Sequence, residues 1–349
     1  MARFDDSLLK ERLAVELPVA KGHLLTFNSS VPLLEGFEQL LRSAVLSAPV
    51  WDEAEAAFCG FLDIRDAVSF VVFEWDRARK ATARPPGQDG QPLLEGGGGE
   101  ARDVEVTVED LRQRQADGTG RVTLTYLARR HSFIPMGTDA SLAEVVRVLG
   151  KVDRNRRVLA HRVPLVDESG DVVNILSQSS IVAYLAEHVH HLGAIARDSV
   201  GELNLVSEPC ISVAHDETAL HTLRVMDRNN LSGVAIVHAH TGKLLGNTSA
   251  SDLRCFFMQA SLELPVMEFM ERGHAAAAAR MYGAPMAAVG PSERGAVSCD
   301  EDDSLAKVLS LLATTGFHRV WTVDEDFRPT GVVSVSDICR LFATLCESL

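Results

Sequence analysis

One short pattern recurs four times along the chain: an apolar strand, an acidic or glycine-containing turn, a second strand, and a cluster of Ser, Thr or Asp that opens a helix. The four clusters are Asp63-Ile64-Arg65-Asp66, Ser177-Gln178-Ser179-Ser180, Ser249-Ala250-Ser251-Asp252 and Ser334-Val335-Ser336-Asp337. Repetition of this kind constrains the fold more than any local propensity. A supersecondary unit that cannot bury its own apolar face must stack on its neighbours, and that stacking also fixes where ligands can sit.

Each repeat can be followed from its start. Leu142, Val145, Val146 and Leu149 fall at i, i+3, i+4 and i+7, as do Leu305, Val308, Leu309 and Leu312, which predicts amphipathic helices. Asp139-Ala140-Ser141, Asp302-Asp303-Ser304 and Asp216-Glu217-Thr218 precede helices and can accept hydrogen bonds from the free N–H groups of a first turn; Asn28-Ser29-Ser30 does so less cleanly. Strands follow over 47–52, 163–167, 233–238 and 320–324, with second strands through Phe61-Leu62, Val172-Val173, Leu244-Leu245 and Val332-Val333. The expected division is a tail over 1–23, repeats over 24–76, 124–192, 199–260 and 295–349, and connections over 77–123 and 261–294. Residues 77–102, rich in Pro, Gly and charge, are expected to form a flexible loop.

The 349 residues suffice for two ordinary domains, which suits four repeats joined in pairs. A net charge of -14 argues against nonspecific nucleic-acid or anionic-lipid binding, so an anionic ligand would need locally placed basic groups. Six cysteines without CxxC spacing read as reduced thiols of a cytosolic or nuclear protein, and no run is long enough to span a bilayer. No Walker lysine loop, kinase catalytic loop, nucleophile elbow or paired zinc-ligand motif is present, which points away from an enzyme. His188, His190, His191, His238 and His240 lack partners at metal-ligand spacing and read as solvated. Trp51 and Trp321 read as buried packing residues at matching strand positions.

The run from His318-Arg319 to Gly331-Val332-Val333-Ser334-Val335-Ser336-Asp337-Ile338 resembles the cystathionine-β-synthase (CBS) domain. Four such repeats, with Ser47-Ala48-Pro49-Val50-Trp51-Asp52 and His161-Arg162-Val163-Pro164, resemble the γ regulatory subunit of the AMP-activated and sucrose-non-fermenting-type protein kinases. That resemblance implies an α+β fold of four CBS repeats paired into two Bateman modules that form a disc. It also implies a non-catalytic subunit that binds AMP, ADP or ATP between repeats and partners a kinase catalytic subunit and a β-type scaffold subunit. Asp337, Asp252 and Asp66 would hold ribose, Ser334 and Ser249 would be the accompanying hydroxyls, and His161, Arg162, His318 and Arg319 would face phosphate.

The chain also departs from the family. Ser180 stands where the second repeat should have its acid, Leu46, Asn230 and Ser179 replace basic residues, and Asp63 puts a second carboxylate near any phosphate. Fewer occupied sites are therefore expected, foremost the one built on Ser334 and Asp337. Ser-x-Ser-Asp is equally the signature of a plain helix cap, and His161 and His318 are equally suited to partly buried hydrogen bonding. A scaffold of the same fold without sensing, or a binder of another adenosyl ligand that regulates a non-kinase partner, fits the same residues.

Overall fold

The computed structural model describes residues 4, 6–18, 24–82, 107–116, 122–154, 158–258, 260–273 and 296–347. Residues 77–82 of the expected loop instead continue the helix that begins at Ile64, and the loop's remainder, the alanine run 275–279, and Arg156 and Arg157 lie outside the described residues.

Four three-stranded sheets form, one per repeat. They comprise β1 (Phe27–Asn28), β2 (Ser47–Asp52) and β3 (Ala57–Asp63); β4 (Met136–Gly137), β5 (Arg162–Val166) and β6 (Val172–Ser177); β7 (Ser212–Ala214), β8 (Gly233–Val237) and β9 (Leu244–Ser249); and β10 (Ser298–Cys299), β11 (Arg319–Val323) and β12 (Pro329–Ser334). In every sheet the short first strand is parallel to the second, because an opening helix crosses between them, and the second and third strands are antiparallel. All four pairings shift register at the same place, at Val50/Trp51, Leu165/Val166, Ile236/Val237 and Thr322/Val323. The repeats therefore correspond residue by residue. Ser47, Arg162, Gly233 and Arg319 pair with Asp63, Ser177, Ser249 and Ser334, the first residues of the four clusters.

The opening helices start where the caps were expected. Ser141 and Glu144 form a reciprocal capping box before Leu142–Gly150, while Thr218 and Ser304 cap Ala219–Arg228 and Leu305–Thr315. In the first repeat the helix Leu33–Arg42 follows Pro32 with no side-chain cap. The two apolar stripes read from sequence are buried to 3% exposure or less.

Two large cores hold the repeats together, one joining repeats 1 and 3 and the other repeats 2 and 4. Helices carry this packing: the closing helix Ile64–Thr82 lies on Ala219–Arg228, and the closing helix Val335–Glu347 lies on Leu142–Gly150. Gly150 permits that second approach, since a Cβ there would stand 2.6 Å from the Ala343 side chain and 2.7 Å from the Cys339 carbonyl oxygen. The sheets supply the other pairing. Ala235, Leu244 and Trp321 form a small apolar seam between repeats 3 and 4, and Leu244 N–H donates to the Phe327 carbonyl at 2.8 Å. Repeats 1 and 2 meet through Arg162 and Asp63. Each repeat thus touches two others, which gives the disc of two Bateman modules, with the polar ends of the strands turned to the centre.

The segment read as a tail contributes to the second core. Phe4, Leu9, Ala14 and Leu17 are buried there, and Ala14 N–H donates to the Ala140 carbonyl at 2.8 Å. Within the stretch read as a connection, the helix Val108–Ala116 buries Val108 and Leu111 in the first core. The apolar periodicity of both pieces is too short to declare itself without a partner surface. The two tryptophans do not match: Trp51 pairs with Phe58 after the register shift and is 37% exposed, whereas Trp321 pairs with Val332 before it and is 2% exposed. No helix among the described residues is long and apolar enough to cross a membrane.

Candidate functional site: a polar centre where four repeats meet

The centre is built from equivalent positions. Arg162 and Arg319 begin β5 and β11, one residue after His161 and His318, whose carbonyls accept N–H bonds from Gln178 at 3.3 Å and Val335 at 3.0 Å. The same backbone bond ties Leu46 to Ile64 and Ser232 to Ala250, so the four strand entries point alike.

Arg162 Nη1 donates to Asp63 Oδ2 at 3.2 Å. Asp63 Oδ1 accepts the Arg65 backbone N–H at 2.9 Å and Arg65 Nε at 3.2 Å. Burial alone would raise the Asp63 pKa, but Arg65 and Arg162, with His131 and the Arg65 N–H, hold it well below the usual carboxylate range. The repulsion expected between Asp63 and phosphate is thereby reduced but not removed, because two guanidinium groups share its one charge. Arg65 had no place among the residues picked from sequence, although it occupies the position of Ser179, Ser251 and Ser336 in its own cluster.

Arg319 enters from the fourth repeat and donates to Ser232 Oγ at 2.6 Å. Burial and the Arg65 charge push its pKa down to about 10, against an opposing pull from Asp337, so it stays protonated at neutral pH. A Cβ on Gly233 would stand 2.1 Å from Arg319 Nη1, so the guanidinium occupies space that only glycine leaves.

His161 is not part of the positive charge. Gln178 Nε2 donates to the Leu149 carbonyl at 2.9 Å, which leaves Gln178 Oε1 to accept from Ser336 Oγ at 2.8 Å and from His161 Nδ1 at 3.2 Å. Burial and the Arg65 charge push the His161 imidazole down to about 4, so it is neutral at physiological pH and its Nε2 is an acceptor. His318 is partly buried at the equivalent place.

The acids expected to hold ribose all begin closing helices. Asp337 Oδ2 accepts from Ser334 N at 2.9 Å and Ser334 Oγ at 2.5 Å, and Oδ1 accepts from Arg340 at 2.5 Å and Ser207 Oγ at 3.4 Å. Asp252 Oδ2 accepts from Ser249 N at 2.8 Å, and the residue borders a small notch lined by Thr222, Thr248 and Phe269. Ser180 substitutes a hydroxyl in the same capping box with Ser177. Asp66 differs, because its oxygens are taken by His131 Nε2 at 2.8 Å and Arg130 Nη1 at 3.2 Å. Its partners stand at the start of the second repeat, apart from the four recurring clusters. The carboxylates are therefore helix caps in the first instance, Asp252 and Asp337 buried beside hydroxyls and an arginine, and Asp66 buried beside the bases Arg130 and His131.

Taken together, Asp63, Arg65, His161, Arg162, Ser232 and Arg319 bring charge and hydrogen-bonding groups from all four repeats into one place. Arg65 and Arg162 face Asp63, and Arg319, bonded to Ser232, feels the charges of Arg65 and Asp337, in a chain whose net charge is -14. Such an arrangement can hold an anion, and Arg forks suit phosphate oxygens. In the two cores the buried thiols Cys255 and Cys299 are pushed up to about 12 by burial and nearby acids. Among the described residues no group of three His, Cys, Asp or Glu side chains is placed to hold a metal ion.

The CBS domain family model matches residues 129–187, 200–258 and 292–344, the second, third and fourth repeats of the structure. The chain is 26% identical over 224 residues to the SNF1-related protein kinase regulatory subunit gamma-1-like of Arabidopsis thaliana, covering 61% of this chain and 46% of that protein. It is 23% identical over 343 residues to the 5'-AMP-activated protein kinase subunit gamma-3 of Homo sapiens, covering 95% and 59% respectively. The chain spans about half the length of the curated relatives it matches. Among solved structures, a Methanocaldococcus jannaschii protein titled an archaeal homologue of g-AMPK superposes with a TM-score of 0.61 at 13% identity, over 95% of this chain and 100% of that one.

Proposed function

We propose that this chain, a protein built of four CBS repeats, is a non-catalytic γ-type regulatory subunit that binds an adenine nucleotide at its centre and biases a Ser/Thr protein kinase. The observation that carries this reading is the convergence of Arg65, Arg162 and Arg319, each from a different repeat, on one buried locus. Asp63 offsets one of these three charges, and the positive charge that remains favours an anionic ligand. The phosphates would lie against these groups, and Asp337, already oriented by Ser334, would turn an oxygen to the ribose hydroxyls. The neutral His161 would offer Nε2 as an acceptor rather than a charge.

The relatives named as kinase γ subunits support the kinase partnership, with a catalytic subunit and a β-type scaffold subunit as the remaining components. AMP, ADP and ATP are the ligands this reading places at the centre. A ligand shifts a partner only by binding its states with different affinity, and a coupling of ~1 to 3 kcal/mol gives a useful response. The test is reconstitution with a co-purified kinase: activity should respond to nucleotide with the protein present and not in its absence. A kinase complex that assembles yet ignores nucleotide at every concentration would remove the sensing role.

One observation favours a second reading, a scaffold that has lost sensing. The Asp66 carboxylate is already engaged by His131 and Arg130, so the first-repeat position is filled by the chain itself. Tight association with a kinase partner, combined with no nucleotide affinity, would select this reading.

A further inference from the structure

We infer that Asp63 is a resident counter-ion that tunes the central site to a nucleoside monophosphate and against a triphosphate, an inference that rests on the nucleotide-binding reading above.

The residue has no equivalent in the other repeats. Register places Ser177, Ser249 and Ser334 at its position, and each of those hydroxyls contacts the residue three positions on, Ser180, Asp252 or Asp337. A serine is thus enough to begin the closing helix. Asp63 instead accepts from Arg65 and reaches Arg162, 99 residues away in the second repeat. Its carboxylate sits between two guanidinium groups, where an anionic ligand would otherwise contact both.

Charge matching sets the preference. Arg65, Arg162 and Arg319 supply three positive charges, Asp63 removes one, and His161, hydrogen-bonded through Nδ1 to Gln178, adds none. The other nearby acids already have partners: Asp337 has Arg340, and Asp66 has Arg130 and His131. A monophosphate carries about two negative charges at neutral pH, which balances the excess without moving Asp63. The longer phosphate chain of a triphosphate brings further negative charge against the Asp63 carboxylate, which already engages Arg65 and Arg162. That repulsion grows with ligand charge, whereas loss of the carboxylate benefits the more charged ligand most.

The test is calorimetric titration of the full chain with AMP and with ATP in magnesium-free buffer, for the wild type, Asp63→Asn and Asp63→Ser. The serine variant restores what the other repeats carry and serves if the amide variant folds poorly. The wild type should bind AMP more tightly than ATP, and either variant should bind ATP about tenfold more tightly than the wild type does while AMP gains less. If both nucleotides bind and their affinity ratio is the same in wild type and variants, Asp63 does not set selectivity and the inference is overturned. If the wild type prefers ATP, it is overturned as well. If no nucleotide binds any of the three proteins, the nucleotide reading itself falls and the inference falls with it.

Discussion

Arg162 Nη1 and Asp63 Oδ2 lie 3.2 Å apart with both side chains at least 85% buried, joining the second repeat to the first at the centre of the disc. Removing one member of such a pair strands the other charge in a poorly solvated place. Asp63→Asn should therefore lower stability by about 3 kcal/mol, softened by whatever water reaches Arg162. Urea denaturation of the unliganded protein measures this, and a midpoint equal to that of the wild type would contradict it.

The neutral His161 predicts an acid-side loss of stability. Its folded pKa, about 4, lies below the ordinary value near 6.5, so the unfolded chain binds the proton more readily in that interval. Stability is thus unaffected by His161 above about pH 6.5 and declines as pH falls from there toward 4, by about 3 kcal/mol in all. Asp63 acts in the same sense at lower pH, because its depressed pKa contributes stability that is present above the ordinary carboxylate range and lost as pH falls further. Denaturation midpoints at pH 7 and pH 5 should differ clearly in the wild type and much less in His161→Gln.

Two glycines mark close approaches, one in the second core and one at the centre. Gly150→Val would press on Ala343 and Cys339 and should cost about 1 to 3 kcal/mol by overpacking, with no direct effect on the centre. Gly233→Ala would push on Arg319 Nη1 and should weaken nucleotide binding even where the fold survives. Parallel melting curves and titrations of the two variants separate these effects; equal losses of nucleotide affinity in both would contradict the assignment of Arg319 to the site.

The opening helix of the second repeat tests a simpler claim. Ser141 Oγ accepts from Glu144 N at 3.3 Å while Glu144 Oε2 accepts from Ser141 N at 2.8 Å. Loss of the box in Ser141→Ala should cost about 1 kcal/mol, measured as a lower denaturation midpoint with nucleotide affinity unchanged.

What the sequence disclosed followed periodicity. Leu142, Val145, Val146 and Leu149 announced a helix because one face had to be buried, and Ser141 announced its start because free N–H groups need acceptors. The repeated position of Arg162 and Arg319 after His161 and His318 was visible for the same reason. Arg65 was not, because within its cluster it replaces serine, and only the folded centre shows that its guanidinium joins Arg162 on Asp63. The Asp66 partners were hidden too, since His131 lies 65 residues away in the second repeat and belongs to none of the four clusters. Phe4 and Leu9 looked like a tail because a four-residue helix has no periodicity to read. Their burial is set by the surface they meet in repeats 2 and 4.

The most direct measurement is calorimetric titration of the purified protein with AMP, ADP and ATP, beside Asp337→Ala. Saturable binding of at least one nucleotide, weakened about tenfold or more in the variant, is the expected result. Absence of binding by the wild type, or binding that Asp337→Ala leaves unchanged, would contradict a nucleotide site at the centre of the four repeats.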